Sequence, residues 1–214
     1  MIRVRKSAIV PQSLTATSSY DGEDVREQLF TDQDDKCYLC ERTRETDFHI
    51  EHYKSQDNHP ELIQKWENLL MGCSYCNGKK LALFDDILNP VTINIEEEIE
   101  QHFDFGNKKA IFTSAINDVA HNKTIELLSR IHNGTKPPIR KFKEERFVEH
   151  VISVVSRFLD LTKNYLENPT IENEKAVRDE LSIDKEMLGF KYWIVKDNPD
   201  LYSAFASDIV WNKI

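Results

Sequence analysis

No apolar run in this 214-residue chain comes near the ~18 residues that a membrane-spanning helix needs, which excludes a helical membrane protein. The first segment, Met1 to Leu14, carries Arg3, Arg5 and Lys6 but lacks the apolar core of a secretory signal. The expected location is therefore cytoplasmic and reducing. Cysteine is absent outside one window: all four lie between positions 37 and 76. Paired thiols in a reducing compartment serve as metal ligands more readily than as disulfides. A thioredoxin-like βαβ pattern is missing as well, which argues against a thiol redox protein. The chain has no internal repeat and no low-complexity segment. Its 40 % hydrophobic and 30 % charged content is that of a soluble globular protein, not of a disordered one.

Positive charge is also scarce, with a formal net charge of -9. Phosphate contacts need Lys and Arg, so a chain of this balance is poorly equipped to grip nucleic acid by itself. The charge is uneven: residues 84–120 carry eight acids against two bases, and residues 121–150 carry seven bases against four acids. The bases Lys136, Arg140, Lys141, Lys143 and Arg146 fall close together. They form either a solvated helix face or a nucleic-acid track.

Residues 1–30 read as an N-terminal arm with few apolar positions, in which residues 24–30 suit a short helix. Residues 31–90 form a cysteine-bounded module. Within it the pattern predicts a strand over Phe48 to His52, a short helix over Pro60 to Leu70, and a helix from near Asn77 through Leu88 that stops before Asn89-Pro90. Residues 91–214 form a mostly helical C-terminal region. Val91 to Ile95 and Ala110 to Thr113 have strand character, with a turn at Gly106-Asn107. From about residue 117 the apolar steps are helical. One helix ends at Asn133-Gly134 ahead of Pro137-Pro138, and the clearest runs through Phe147, Val151, Val154, Val155, Phe158, Leu161 and Tyr165. Two or three shorter helices follow through Val177, Leu188 and Leu201.

The chemistry is concentrated between positions 37 and 80. Cys37-Tyr-Leu-Cys40 and Cys73-Ser-Tyr-Cys76 are two Cys-x-x-Cys turns separated by 32 residues. Two thiolates at i and i+3 face one ion, and a second such turn completes a tetrahedral Zn²⁺ shell. A site filled by four thiolates is structural, stapling a module too small to hold itself by hydrophobic burial alone. Between and behind the turns stand Glu51-His52, Glu67-Asn68-Leu69 and Asn77. A carboxylate and an amide oxygen suit Mg²⁺ or Mn²⁺, and a neutral imidazole near pKa ~6.5 suits proton abstraction. Neighbouring strand residues point to opposite faces, so bringing Glu51 and His52 together requires a bend or bulge.

Glu51-His52, Asn68-Leu69 and Cys73-x-x-Cys76-Asn77 together resemble the HNH endonuclease family. The motif spans roughly a quarter of the chain. The resemblance implies an α+β fold: a small zinc-stapled ββα-metal nuclease core followed by the mostly α-helical C-terminal region. It implies His52 as general base, Asn68 as the residue orienting His52 and its loop, and Glu51 with Asn77 as holders of one catalytic Mg²⁺ or Mn²⁺. Lys80 matches a basic residue often found after the last motif position. Lys79 and Lys80 are thus candidates for DNA-backbone contacts, against the alternative of two exposed lysines with no specific role. The acid is Glu where Asp is commoner, and the third motif residue is Asn where His is commoner. His49 lies on the Glu51 side of the strand, where a packed or hydrogen-bonded histidine is favoured over a further ligand.

The layout of the whole chain, from its basic start to its helical half, is similar to HNH proteins of retron and Septu anti-phage systems. Such proteins act with an ATPase of the ABC or overcoming-lysogenization-defect type. That resemblance implies a DNA-cutting subunit docked on an ATPase, which would account for the acidic balance. It makes the helical half the candidate docking surface; otherwise that half is simply a second core. The competing reading is a zinc-stapled module that binds nucleic acid or protein without catalysis.

Overall fold

The computed structural model describes residues 1–16, 19–43, 47–135 and 139–211. Lys136 and Pro137-Pro138 lie outside the described residues. Among these residues the fold is α+β, with two small antiparallel hairpins and nine helices of very unequal length. Among the described residues no helix is long and apolar enough to cross a membrane.

Two short helices lead in, α1 (Gln12–Ala16) and α2 (Glu23–Asp32). Strand β1 (Phe48–His52) then pairs with β2 (Leu69–Cys73), and α3 (Ser74–Lys80) follows directly. The register is regular, from Phe48 opposite Cys73 to His52 opposite Leu69. The helix expected over Pro60 to Leu70 is instead two single 3₁₀ turns, Pro60–Leu62 and Trp66–Asn68, and its last two leucines begin β2. Every residue of β2 is buried, so the strand has no polar alternation to mark it. The helix expected through Leu88 also breaks. Leu81 adopts a φ of +51°, and a separate 3₁₀ turn, Leu81–Phe84, takes over.

Beyond the hairpin, the strand expected over Val91 to Ile95 does not form: residues 91–93 are turn and bend, and its last residue opens α4 (Ile95–Glu98). Three successive glutamates at a helix start complement its positive end, and that outweighs the β-branched residues before them. The second hairpin, β3 (Glu100–Asp104) with β4 (Lys109–Thr113), turns at Gly106-Asn107, where Asp104 accepts from the Asn107 backbone N–H at 3.0 Å.

Five helices complete the chain: α5 (Val119–Asn133), α6 (Phe142–Glu167), α7 (Ile171–Glu180), α8 (Leu188–Lys196) and α9 (Pro199–Phe205). Helix α5 stops at Gly134, whose φ of +88° suits glycine alone; a Cβ there would also meet the Glu144 carboxylate at 2.8 Å. Helix α6 buries the stripe Phe147, Val151, Val155 and Phe158, each such side chain contributing about 1.5–3 kcal/mol.

One core cluster joins the four cysteines to Phe84, Leu127, Ile131, Phe147, Val151 and Phe190, so the cysteine module and the helical half share a core, with α3 packed on α5. A second lies among α6 to α9, and a third sets Val25 and Leu29 against Trp66, Leu69 and Met71. The first residues are not sparse in buried positions: Met1, Ile2 and Val4 all enter the core.

Candidate metal centre and active site

The four thiols converge because each turn is fixed by backbone. Cys37 and Cys40 follow α2 in a tight turn closed by the Glu41 N–H donating to the Cys37 carbonyl at 2.8 Å. The Tyr38 N–H donates to the Met71 carbonyl at 3.1 Å, and Gln33 pairs with both backbone groups of Met71, which locks that turn to β2. Cys73 ends β2 and caps α3, and Cys76 lies in the first turn of that helix.

All four sulfurs are buried and lie within 4.8 Å of one another. Cys40 and Cys73 are 3.8 Å apart, the S···S separation that a tetrahedron with Zn–S bonds of ~2.3 Å requires. The donor set therefore fits zinc. Burial holds the Cys40 and Cys76 thiols well above the ordinary range. Burial opposes ionisation of Cys37 too, but its three neighbouring cysteines draw its thiol well below that range. A cation entering this cluster must therefore displace thiol protons.

Glu51 lies on β1, and Asn77 lies on α3 one residue beyond Cys76. Glu51 is buried opposite Leu70, and Gly72 makes room for it: a Cβ at Gly72 would stand 3.3 Å from that of Glu51. Burial raises the Glu51 carboxyl, and Lys80 opposes that shift from 3.0 Å. The side-chain amide of the half-buried Asn77 has no hydrogen-bond partner among the described residues. A carboxylate and an amide are the sparse protein ligands typical of Mg²⁺, which keeps several waters. Among the described residues the cysteines are the only group of three or more His, Cys, Asp or Glu side chains that closes on one point.

His52 stands at the strand end with no bulge before it, so its ring departs from the face that carries Glu51. Its Nε2 lies 3.0 Å from the Ile63 carbonyl, its Nδ1 3.1 Å from Gln56 Nε2, and its edge meets Tyr20 at 4.7 Å. The bend expected to unite Glu51 and His52 is absent. Burial lowers the His52 imidazole below its usual value, and Lys80 adds to this against the Ile63 carbonyl. The ring is accordingly a neutral base.

The Asn68 side chain makes no hydrogen bond to the His52 ring. It clamps the chain just after it, accepting from the Lys54 N–H at 2.7 Å and donating to the carbonyls of Lys54 at 3.0 Å and Leu62 at 3.2 Å.

Three placements depart from expectation. Lys80 is not exposed: it is 1 % accessible, pairs with Glu51, and donates to the His52 carbonyl at 2.9 Å. Lys79 pairs with Glu144 of α6. Neither ammonium is free for a phosphate. His49 is not packed; it is exposed on the Glu51 face. Asp85 and Gln56 carried no sequence signal. Asp85 holds the loop after His52 through Ser55 N–H at 2.8 Å, Ser55 Oγ at 2.7 Å and Asn58 at 2.7 Å.

The fold and site together define a mixed α+β protein in which the hairpin, the helix after it and the turn before it bring four cysteines into one cluster that could hold a zinc ion. No family model matches the chain. It is distantly similar to the Septu protein PtuB of Bacillus thuringiensis, with 26 % identity over 150 residues that cover 66 % of this chain and 52 % of that protein. The chain thus spans about half the length of the curated relative it matches.

Proposed function

We propose that this chain is a divalent-metal-dependent HNH endonuclease that hydrolyses DNA, serving as the effector of an anti-phage defence system with an ATPase partner. The observation that carries this reading is the buried Glu51 carboxylate and the open Asn77 amide on a cysteine-locked strand–strand–helix unit, one residue from a neutral imidazole. Similarity to PtuB, a Septu protein, supports the defence role and the expectation of a partner.

Glu51 and Asn77 would hold the Mg²⁺ or Mn²⁺. When bound, the cation supplies charge stabilisation at the scissile phosphate and the leaving oxygen. Asn68 holds the loop that carries the two partners of His52, and the neutral imidazole accepts the proton of the attacking water. That step requires His52 to exchange one of its contacts, Gln56 or the Ile63 carbonyl, for the water. Hydrogen bonds of this kind commonly rearrange once substrate is present.

His49 offers a second assignment of the base, favoured by its exposure on the same strand face as Glu51. Plasmid cleavage in Mg²⁺ or Mn²⁺, with and without the co-expressed ATPase, separates the readings. At matched zinc content His52→Ala is expected to abolish cutting and His49→Ala to spare it. The reverse result transfers the role to His49. A wild type that never cuts, alone or with its partner, leaves the zinc-stapled binding module as the function.

A further inference from the structure

Lys108, Lys109, Lys141, Lys143 and Arg146 are all exposed, and two elements bring them together. Arg140 donates to the Lys108 carbonyl, which seats the β3–β4 turn against the entry to α6. Among the described residues none of the five forms an ion pair. Of the neighbouring acids, Glu144 is engaged with Lys79, Glu145 with Arg140 at 3.7 Å and Glu126 with Lys123 at 3.0 Å, while Asp104 stands opposite Lys109 in the hairpin and offsets part of that one charge. In a chain of net charge -9, this leaves a concentrated cationic surface.

Phe142 lies in the middle of it, 78 % exposed, with the Arg146 guanidinium 5.9 Å from its ring centre. An exposed aromatic among unpaired cations is what nucleic acid engages, by stacking and by phosphate contact. The α6 start is already capped, since Glu144 accepts from the Lys141 N–H at 2.8 Å, so phosphates would be met by side chains.

The patch is also fixed relative to the candidate active site. Glu144 binds Lys79, and Phe147 stacks on Tyr75 at 5.0 Å, so the first two turns of α6 are bolted to the helix that carries Asn77.

We propose that the α6 entry and the β3–β4 turn form a track for the phosphate backbone of DNA, with Phe142 at its centre. The choice of ligand rests on the nuclease reading; the surface rests on its own geometry. It replaces Lys79 and Lys80 as the backbone contact.

The test is fluorescence anisotropy of a labelled 30-base-pair duplex with the full chain, titrated at several salt concentrations. The Lys109→Gln/Lys143→Gln/Arg146→Gln variant is expected to lose at least about tenfold in affinity and to reduce the log–log salt slope by about 3, one per contact removed. A Lys163→Gln/Lys175→Gln/Lys196→Gln control is expected to bind like wild type. All three patch residues are exposed, so thermal stability and zinc content stay unchanged. An unaltered slope in the patch variant overturns the proposal, as does a wild type that does not bind at low salt. Loss of ATPase co-purification with DNA binding intact also overturns it, assigning the patch to a protein interface. Binding through the patch without any cleavage refutes the nuclease reading and leaves the track standing.

Discussion

Lys80 Nζ lies 3.0 Å from Glu51 Oε1, and both residues are buried. Because the same ammonium donates to the His52 carbonyl, one cation ties the helix bearing Asn77 to the end of the strand bearing the candidate base.

Removing that cation leaves a buried carboxylate uncompensated, which costs about 3–5 kcal/mol, whereas replacing both charges together costs far less. Urea denaturation is expected to show Lys80→Met as strongly destabilised and Glu51→Gln/Lys80→Met as largely recovered. Equal losses in the two variants mean that the pair does not couple.

The cysteine cluster makes a separate prediction. Elemental analysis should find about one zinc per chain, since four thiolates complete one shell. Cys73→Ser breaks the shell at the junction of β2 and α3, and its melting temperature should fall by roughly 10 °C or more. EDTA should strip zinc faster at pH 6 than at pH 8, because burial holds Cys40 and Cys76 toward the thiol form and lower pH favours that form further. A zinc-free protein that is fully folded overturns the staple.

Glu96, whose carboxylate accepts from the Arg3 backbone N–H, makes stability depend on pH. It is 1 % exposed, its Oε1 has no hydrogen-bond partner, and burial raises its carboxyl to about 7 from an ordinary 4.5. The folded state holds this proton more tightly than the unfolded chain does. The resulting stabilisation is full below pH 4.5 and is lost as pH rises through about 7. Glu96→Gln has no such proton to lose. Its melting temperature relative to wild type should therefore climb between pH 5 and pH 8, by the equivalent of up to about 3 kcal/mol. A constant difference across that range refutes the assignment.

The sequence revealed these features unequally, for physical reasons. Phe48 to His52 alternates apolar and polar residues and reads as a strand, and the stripe from Phe147 to Phe158 reads as a helix because it has one buried side. Leu69 to Cys73 is buried on both sides, which erases periodicity and let a helix reading absorb its first residues. The cysteines are a local pattern and were legible at once. Lys80 was not, because a lysine is solvated unless a tertiary partner holds it inside, and Glu51 is 29 positions away. Gln56 and Asp85 act through loop geometry that no short motif encodes.

Asn68 is the most exacting test of how that loop serves the site. Its side chain makes three hydrogen bonds, to the Lys54 N–H and to the carbonyls of Lys54 and Leu62. Asn68→Ala strands those buried groups, and at about 1–3 kcal/mol for each unsatisfied group the variant should lose about 3 kcal/mol. Asn68→Asp keeps the acceptor but turns a carboxylate on two carbonyl oxygens, so it should be no better. Gln56 is exposed and contacts His52 Nδ1 alone, so Gln56→Ala should leave stability within about 0.5 kcal/mol of wild type. If the nuclease reading holds, Asn68→Ala lowers both stability and cleavage, while Gln56→Ala alters cleavage alone. An Asn68→Ala protein as stable as wild type shows that the loop is held by Asp85 without it.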